Sequence, residues 1–188
     1  MSKTMDQPIF QTLDRVTQFP YTRGEYVRRL AWEIVQATLF RLPIPRAYGW
    51  RRFLLRSFGA QLAPTCGVQR RVKIVHPWLL KIGSHSIVAN GTTLYNLGPI
   101  EIGEHTAISQ DCYLCAGSHD HAQPTLPLQR LPIRIGSGVW IAAQVFVCPD
   151  VTIGNNTVVG ARSVVTKDLP ENVVAAGNPA RVIKPRIS

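Results

Sequence analysis

Aliphatic residues recur every six positions along the C-terminal two thirds of the chain. A helix repeats every 3.6 residues and a half-buried strand every two, so neither explains a period of six. A small or apolar residue stands four places after each of these anchors. The pattern therefore predicts hexapeptide repeats. The clearest run of anchors is Ile135, Ile141, Val147, Ile153, Val159 and Val165.

The same spacing extends backwards to give fifteen anchors, all Leu, Ile or Val. Three hexads form one triangular coil of eighteen residues, and the predicted coils begin at Leu62, Ile82, Ile102, Ile135 and Ile153. One coil cannot bury its own apolar edge, so several must stack. The sequence predicts an all-β solenoid, a parallel β-helix of about five triangular coils.

Three insertions interrupt the hexads, and each follows the third hexad of a coil. Two residues are extra before Ile82, two before Ile102 and fifteen before Ile135. All three should therefore leave the prism at one corner, and insertions confined to one edge of a solenoid usually mark its binding edge. The longest, Asp120–Arg134, holds three prolines and is predicted to be an ordered, projecting loop.

The chain divides into a helical arm at 1–60, the β-helix at 61–170 with its loop at 120–134, and a tail at 171–188. In the arm we expect basic amphipathic helices over 24–42 and 46–58, separated by Pro43 and Pro45. Two roles remain open for them. They cap the first coil, as solenoid ends require, or they dock on an anionic membrane or a lipid-linked substrate.

Charge and cysteine content narrow the class of protein. The formal net charge is +10, with +6 carried by residues 1–60. The apolar stretch 26–44 is broken by charged residues, so we expect neither a leader nor a membrane span. The four cysteines do not form a secreted framework, which favours the cytoplasm. No P-loop, dinucleotide-binding or nucleic-acid motif is present.

Four segments resemble the hexapeptide-repeat acetyltransferases. They are Gly117-Ser118-His119-Asp120, Gly138-Val139-Trp140-Ile141-Ala142, Val164-Val165-Thr166-Lys167-Asp168 and Ala176-Gly177-Asn178-Pro179-Ala180. The likeness covers residues 60–188 and is nearest to sugar O-acetyltransferases of exopolysaccharide (colanic-acid-type) biosynthesis, then to maltose and galactoside acetyltransferases. It implies a left-handed β-helix, a homotrimer with active sites between neighbouring prisms, acetyl-CoA as donor, a sugar acceptor and no metal.

The resemblance assigns the catalytic base to His119, because the family's catalytic histidine lies at the matching position. Histidine suits this role because its reference pKa of about 6.5 is near the working pH. His121 is the rival base or an acceptor contact, and Asp111 could orient the substrate or the imidazole. No Ser or Cys is paired with His119 in sequence, so we expect direct transfer without an acyl-enzyme.

For the coenzyme, the resemblance places pantetheine against main-chain groups and phosphates beside cations. Trp140 should point outward and form either a wall of the cleft or a trimer contact. The resemblance places the main-chain contacts of pantetheine at Ala143 and Ala161. It places the nucleotide end near Thr166 and Lys167 and the basic pair of the tail at Arg181 and Lys184, so the coenzyme residues, with Trp140, number seven.

On the acceptor side the chain departs from the maltose and galactoside enzymes. Gly91 stands where they carry an acceptor-binding Asn, with Asn90 beside it and Asn96 nearby. This favours an exopolysaccharide acceptor. Alternatives are a serine or antibiotic O-acetyltransferase of the same fold, a γ-class carbonic anhydrase-like zinc enzyme or a non-catalytic scaffold. His85 and His105 should stack, but no third histidine completes a zinc site.

Overall fold

The structure, a computed structural model, describes residues 9–15, 21–42, 44 and 46–186. The hexads form short strands that stack in parallel on three faces of a triangular prism. The pairing follows the predicted repeat, since Ile82 pairs with Ile102 and Ile135 pairs with Ile153. The predicted parallel β-helix is confirmed.

Each coil contributes one strand to face A, then to face B, then to face C, before the next coil begins. Face A consists of β1 (Gln61–Leu62), β4 (Leu80–Ile82), β7 (Ile100–Ile102), β12 (Ile133–Ile135) and β15 (Thr152–Ile153). Face B consists of β2 (Gly67–Val68), β5 (Ile87–Val88), β8 (Ala107–Ile108), β13 (Trp140–Ile141), β16 (Val158–Val159), β18 (Val173–Gly177) and β19 (Ala180–Pro185). Face C consists of β3 (Lys73–Ile74), β6 (Thr93–Tyr95), β9 (Tyr113–Cys115), β14 (Phe146–Val147) and β17 (Val164–Val165).

The core is the stack of hexad anchors. All fifteen are buried, and the most accessible, Leu62, is 7% exposed. Burying one such aliphatic side chain stabilises the fold by about 1.5–3 kcal/mol. Small residues fill the remaining interior, as Cys66 and Cys112 do at 0% and 1% exposure. Stacked coils therefore share one continuous apolar interior.

The coil count is about six rather than the five expected. Leu169 bridges to Ile153, and β18 pairs in parallel with β16. Leu169 and Ala175 are both buried, six residues apart. The hexad period does not predict this partial coil, because the step from Val165 to Leu169 is four residues instead of six. The chain then turns back as β19, antiparallel to β18.

The arm covers the open end of the first coil. Helix α1 (Arg23–Ala37) begins at a capping box formed by Thr22 and Glu25, and α2 (Tyr48–Ser57) follows a 3-10 turn at Leu39–Arg41. Trp32 is fully buried, and its Nε1–H donates to the Ile74 carbonyl at 2.7 Å. Further 3-10 turns are Leu13–Arg15 and Pro77–Leu79.

The helices are shorter than the predicted 24–42 and 46–58. Thr38, with ψ of −86°, ends α1 before the 3-10 turn. Pro43 and Pro45 lie outside the described residues. Across the described residues, no helix combines the length and apolar character needed to cross a bilayer.

Candidate active site

The long loop leaves the prism at the corner between faces C and A, where the insertions were predicted. Within it, β10 (Ser118–His119) and β11 (Leu128–Gln129) form a small antiparallel ladder. His119 follows directly from the coil that carries β9, and its residue surface is exposed. The predicted base is therefore held on a hairpin anchored to the solenoid.

A main-chain carbonyl orients the His119 ring. Nδ1 lies 2.6 Å from the carbonyl oxygen of Leu126, so Nδ1–H is the donor and Nε2 keeps its lone pair. Leu126 itself lies in the left-handed region, with φ of +46°. This is the tautomer that a base acting through Nε2 requires. Sequence reasoning missed Leu126, because it acts through a backbone atom.

Asp120 does not orient the imidazole, although it follows His119 directly. Its carboxylate accepts hydrogen bonds from Ala122 N at 3.0 Å and Gln123 Nε2 at 2.8 Å. Both contacts close the turn at the tip of the hairpin. Asp120 therefore fixes the loop that supplies the Leu126 carbonyl.

The arm also supports the loop. Thr12 N donates to the Pro124 carbonyl at 3.0 Å. Further along, the Arg130 guanidinium lies 4.8 Å from the Tyr21 ring centre and 3.7 Å from the Glu25 carboxylate. These contacts tie the tip and the C-terminal part of the loop to the N-terminal segment.

Most of the residues assigned to the coenzyme lie on face B or at its edge with face C. Trp140 points outward, is 50% exposed and donates from Nε1 to Ser109 Oγ at 3.1 Å. Ala143 and Ala161 occupy successive turns of the B–C corner, where the Ala143 carbonyl accepts from Arg162 N at 2.9 Å. Arg181 and Lys184 are exposed on β19, at the last-coil end of face B.

Thr166 and Lys167 follow β17, so they lie at the C–A corner with His119. In a triangular prism, that corner is opposite face B. An extended strand advances about 3.3 Å per residue, so a side of six residues is at most about 20 Å long. Within a single chain, His119 and the outward-facing Trp140 therefore lie on opposite sides of the prism.

The acceptor candidate Asp111 meets Gly91 at the B–C corner. A Cβ built on Gly91 would lie 1.8 Å from Asp111 Oδ1, so the carboxylate occupies the space that a side chain would need. Both residues adopt positive φ, +79° at Gly91 and +58° at Asp111. Beside them, the Asn90 side-chain oxygen accepts from Arg71 N at 3.0 Å. A glycine at position 91, in place of the Asn of the maltose and galactoside enzymes, therefore leaves room for the Asp111 side chain.

The other two acceptor candidates differ in access. Asn96 is fully buried, and its amide bonds the backbone of Val75 and His76. Its role is structural, because the side chain has no exposed surface to offer an acceptor. His121 is exposed on the loop, two residues beyond His119.

His85 and His105 lie apart from the loop. His85 and His105 stack as expected, with ring centres 4.9 Å apart, but at the A–B corner. Among the described residues, no three His, Cys, Asp or Glu side chains are close enough to share a metal ion. Burial raises the pKa of all four cysteine thiols, Cys66, Cys112, Cys115 and Cys148.

Known proteins share this architecture over most of the chain. The family model for bacterial transferase hexapeptide repeats (six repeats) matches residues 132–167. A protein assigned as a colanic acid biosynthesis acetyltransferase in Escherichia coli (strain K12) is 49% identical over 87% of this chain and 90% of its own. A galactoside acetyltransferase solved with coenzyme A superposes with a TM-score of 0.80 at 31% identity, covering 88% of this chain and 84% of that one. A hexapeptide-repeat acetyltransferase from Vibrio cholerae O1 biovar eltor, solved with acetyl-CoA, also gives 0.80, at 25% identity and 90% and 93% coverage.

Proposed function

Because the chain belongs to the hexapeptide-repeat acetyltransferases, we propose that it moves an acetyl group from acetyl-CoA to a sugar hydroxyl in exopolysaccharide biosynthesis. The observation that carries the proposal is the His119 ring, held by the Leu126 carbonyl with Nε2 free to accept a proton. The relatives add support, since one is assigned to colanic acid biosynthesis and two were solved with the coenzyme.

The chemistry is one direct transfer. Nε2 of His119 takes the proton of the acceptor hydroxyl as its oxygen attacks the thioester carbonyl carbon. The resulting tetrahedral intermediate collapses with cleavage of the C–S bond, and the imidazolium returns the proton to the departing CoA sulfur. A cysteine acyl-enzyme is disfavoured, because burial keeps the thiols of Cys115 and Cys148 protonated.

A second copy of the chain must complete this site. His119 lies at the C–A corner, and the Trp140 surface lies on the opposite face of the same prism. Packing the His119 corner of one chain against the Trp140 face of the next brings the two halves together. That contact is head-to-tail, and closing it in a ring gives the proposed homotrimer with three sites.

The acceptor half of the site is proposed to be the B–C corner. Asp111 presents its carboxylate in the space that Gly91 leaves open. A carboxylate accepts hydrogen bonds from sugar hydroxyls, and Asn90 lies next to it. The exposed His121 is proposed as a further acceptor contact from the loop.

The outer surface of α1 is proposed to contact an anionic membrane. Val27, Leu30 and Ile34 are 70%, 60% and 58% exposed, although the helix already buries Trp32 on its inner side. Residues 21–57 hold eight arginines and two glutamates. Both glutamates already face arginines, at 3.7 and 3.9 Å. An apolar stripe in a cationic setting matches an anionic lipid surface.

Complementation tests both the chemistry and the shared site. His119→Ala and Trp140→Ala chains are expressed together, and CoA thiol release is followed with a panel of sugar acceptors and serine. Each variant alone should have low activity, whereas mixed oligomers recover part of it, because some sites then combine an intact His119 with an intact Trp140. No recovery in verified mixed oligomers would contradict a site shared in this way.

A further inference from the structure

A pocket of about 310 Å³ lies between the start of α2 and the first coil, at the B–C corner. Three arginines line it, Arg46 and Arg51 from the arm and Arg70 from the coil, and Asn90 forms part of its wall. The described residues that line it include no carboxylate. The pocket is thus cationic and opens beside a proposed acceptor residue.

Further positive charge surrounds this pocket. Arg70 also lines an adjoining cavity together with Arg41 and Arg71. Five arginines therefore meet at one corner of the first coil. An arginine guanidinium stays charged and can bind two phosphate oxygens through its paired donors.

Among the described residues, Arg51 makes hydrogen bonds but no ion pair. It is 3% exposed, and its guanidinium donates to the carbonyls of Phe40 and Ile44 at 3.3 and 3.2 Å. Those partners are neutral. Burial lowers the pKa of Arg51, and the nearby charge of Arg70 lowers it further. Buried charges are normally paired, so an anion in this pocket would relieve a cost that the fold otherwise carries.

Arg46 adds an observation that is independent of charge. Its backbone lies in the left-handed region at φ of +54°, which is rare for a residue with a side chain. Such conformations persist where the surrounding structure imposes them, and they concentrate at functional sites. The strained turn places Arg46 in the wall of the pocket.

The pocket adjoins the proposed acceptor site. Arg71 N donates to the Asn90 side chain, and Asp111 occupies the same corner one coil beyond Asn90. Neighbouring coils are about 4.8 Å apart. Arg70 lies on the first coil and Asp111 on the third, so the distance between them along the prism is about 10 Å. This distance is enough for one sugar ring and its anomeric substituent. Hydroxyls would face the carboxylate, and an anionic substituent would face the arginines.

We propose that this arginine pocket binds the diphosphate of an acceptor in which the sugar is attached through a diphosphate. The inference rests on the proposed function and specifies its substrate class. The coenzyme's own phosphates are assigned to Arg181 and Lys184 on β19, at the other end of the prism. Two carriers present this chemistry, a nucleoside and a polyprenyl lipid, and the two arms of the experiment separate them.

The experiment compares Arg46→Gln and Arg70→Gln with the wild type. The control is Arg134→Gln, which removes the same charge from an exposed residue of face A. Acetyl transfer is measured with a free sugar, with the same sugar as a nucleoside diphosphate conjugate, and with it on a short polyprenyl diphosphate in micelles. Inorganic pyrophosphate binding is measured separately by calorimetry, with acetyl-CoA saturating so that the coenzyme site is filled.

For one diphosphate-linked acceptor, each pocket variant should raise KM at least about tenfold, because a hydrogen bond to a charged group is lost. KM for acetyl-CoA, transfer to the free sugar and the control should be unchanged. Pyrophosphate should bind the wild type and bind each pocket variant more weakly.

An equal rise in KM for free and diphosphate-linked sugars would overturn the proposal, as would pyrophosphate binding that disappears when acetyl-CoA saturates. Acetyl transfer to free sugar without any preference for a diphosphate would refute the pocket and leave the proposed function standing. Pyrophosphate binding to the pocket without transfer to any sugar would refute the proposed function instead.

Discussion

Acid should destabilise the folded chain through His76, which is fully buried at the C–A corner of the first coil. Its Nδ1–H donates to the Asn96 carbonyl at 3.1 Å, and its ring packs on Tyr21 and Trp78. Among the described residues, Nε2 has no hydrogen-bond partner. Burial first, and then the charge of Arg29, lower the pKa of His76 from 6.5 to about 4.

The sign and size of the effect follow from that lowered pKa. The unfolded state binds the proton more tightly than the folded state, so stability is present above pH 6.5 and is lost as the pH falls towards 4. Each pH unit between the two pKa values is worth about 1.4 kcal/mol. The full loss attributable to His76 is therefore about 3 kcal/mol, and it levels off below pH 4.

Urea denaturation from pH 7.5 to 3.5, at fixed protein concentration, measures this loss. His76→Phe keeps an aromatic ring against Trp78 and removes the titrating group. The variant should start about 1 kcal/mol less stable, because the Asn96 carbonyl loses its donor, and should then lose about 3 kcal/mol less than the wild type on acidification. His121→Phe controls for replacing an exposed histidine. Parallel pH curves for the wild type and His76→Phe would refute the reasoning.

The remaining predictions concern activity and membrane contact. His119→Ala should lower kcat by about 10²–10⁴ with little change in coenzyme affinity, because it removes the proposed general base; a larger loss from His121→Ala in the same assay would reverse the assignment. Gly91→Ala should raise KM for the acceptor more than KM for acetyl-CoA, because the new Cβ displaces the Asp111 carboxylate; equal changes in both would contradict this role. Leu30→Asp should weaken co-sedimentation with anionic vesicles without unfolding the protein, because Leu30 is 60% exposed. Vesicle binding that withstands high salt would argue against a charge-assisted membrane surface. So would a result in which Leu30→Asp changes only the association between copies of the chain and not vesicle binding.

The repeat allowed most of the β-helix to be predicted, because each hexad places one aliphatic residue inside the prism. The same rule failed where the spacing changed. Leu169 follows Val165 by four residues, yet it still pairs with Ile153 and begins the sixth coil. Periodicity identifies a coil only while its length is constant. The structure shows that a shortened coil can stack when its buried residues still meet the coil before it.

Within the site, the positions of side chains that follow the hexad repeat were easier to predict than the hydrogen bonds that those side chains make. The position of His119 follows from the insertion, but its tautomer depends on the carbonyl of Leu126, which no side-chain pattern records. Asn96 has the same residue type as a sugar ligand, yet burial commits its amide to the backbone of His76. The sequence identifies candidate side chains at each corner of the prism. Whether such a side chain can bind a substrate depends on which of its polar atoms already form hydrogen bonds within the fold.

The geometry of the prism is the reason why the proposed site includes a second copy of the chain. Stacked coils repeat the same three faces, so residues at one corner remain on the far side from the opposite face at every level of the solenoid. His119 and Trp140 are separated in this way. Lengthening the solenoid would not bring them together, and a loop long enough to wrap around the prism would lose the anchoring that orients the imidazole. In the proposed homotrimer, association of copies joins the corner of one chain to the face of the next while both remain on rigid coils.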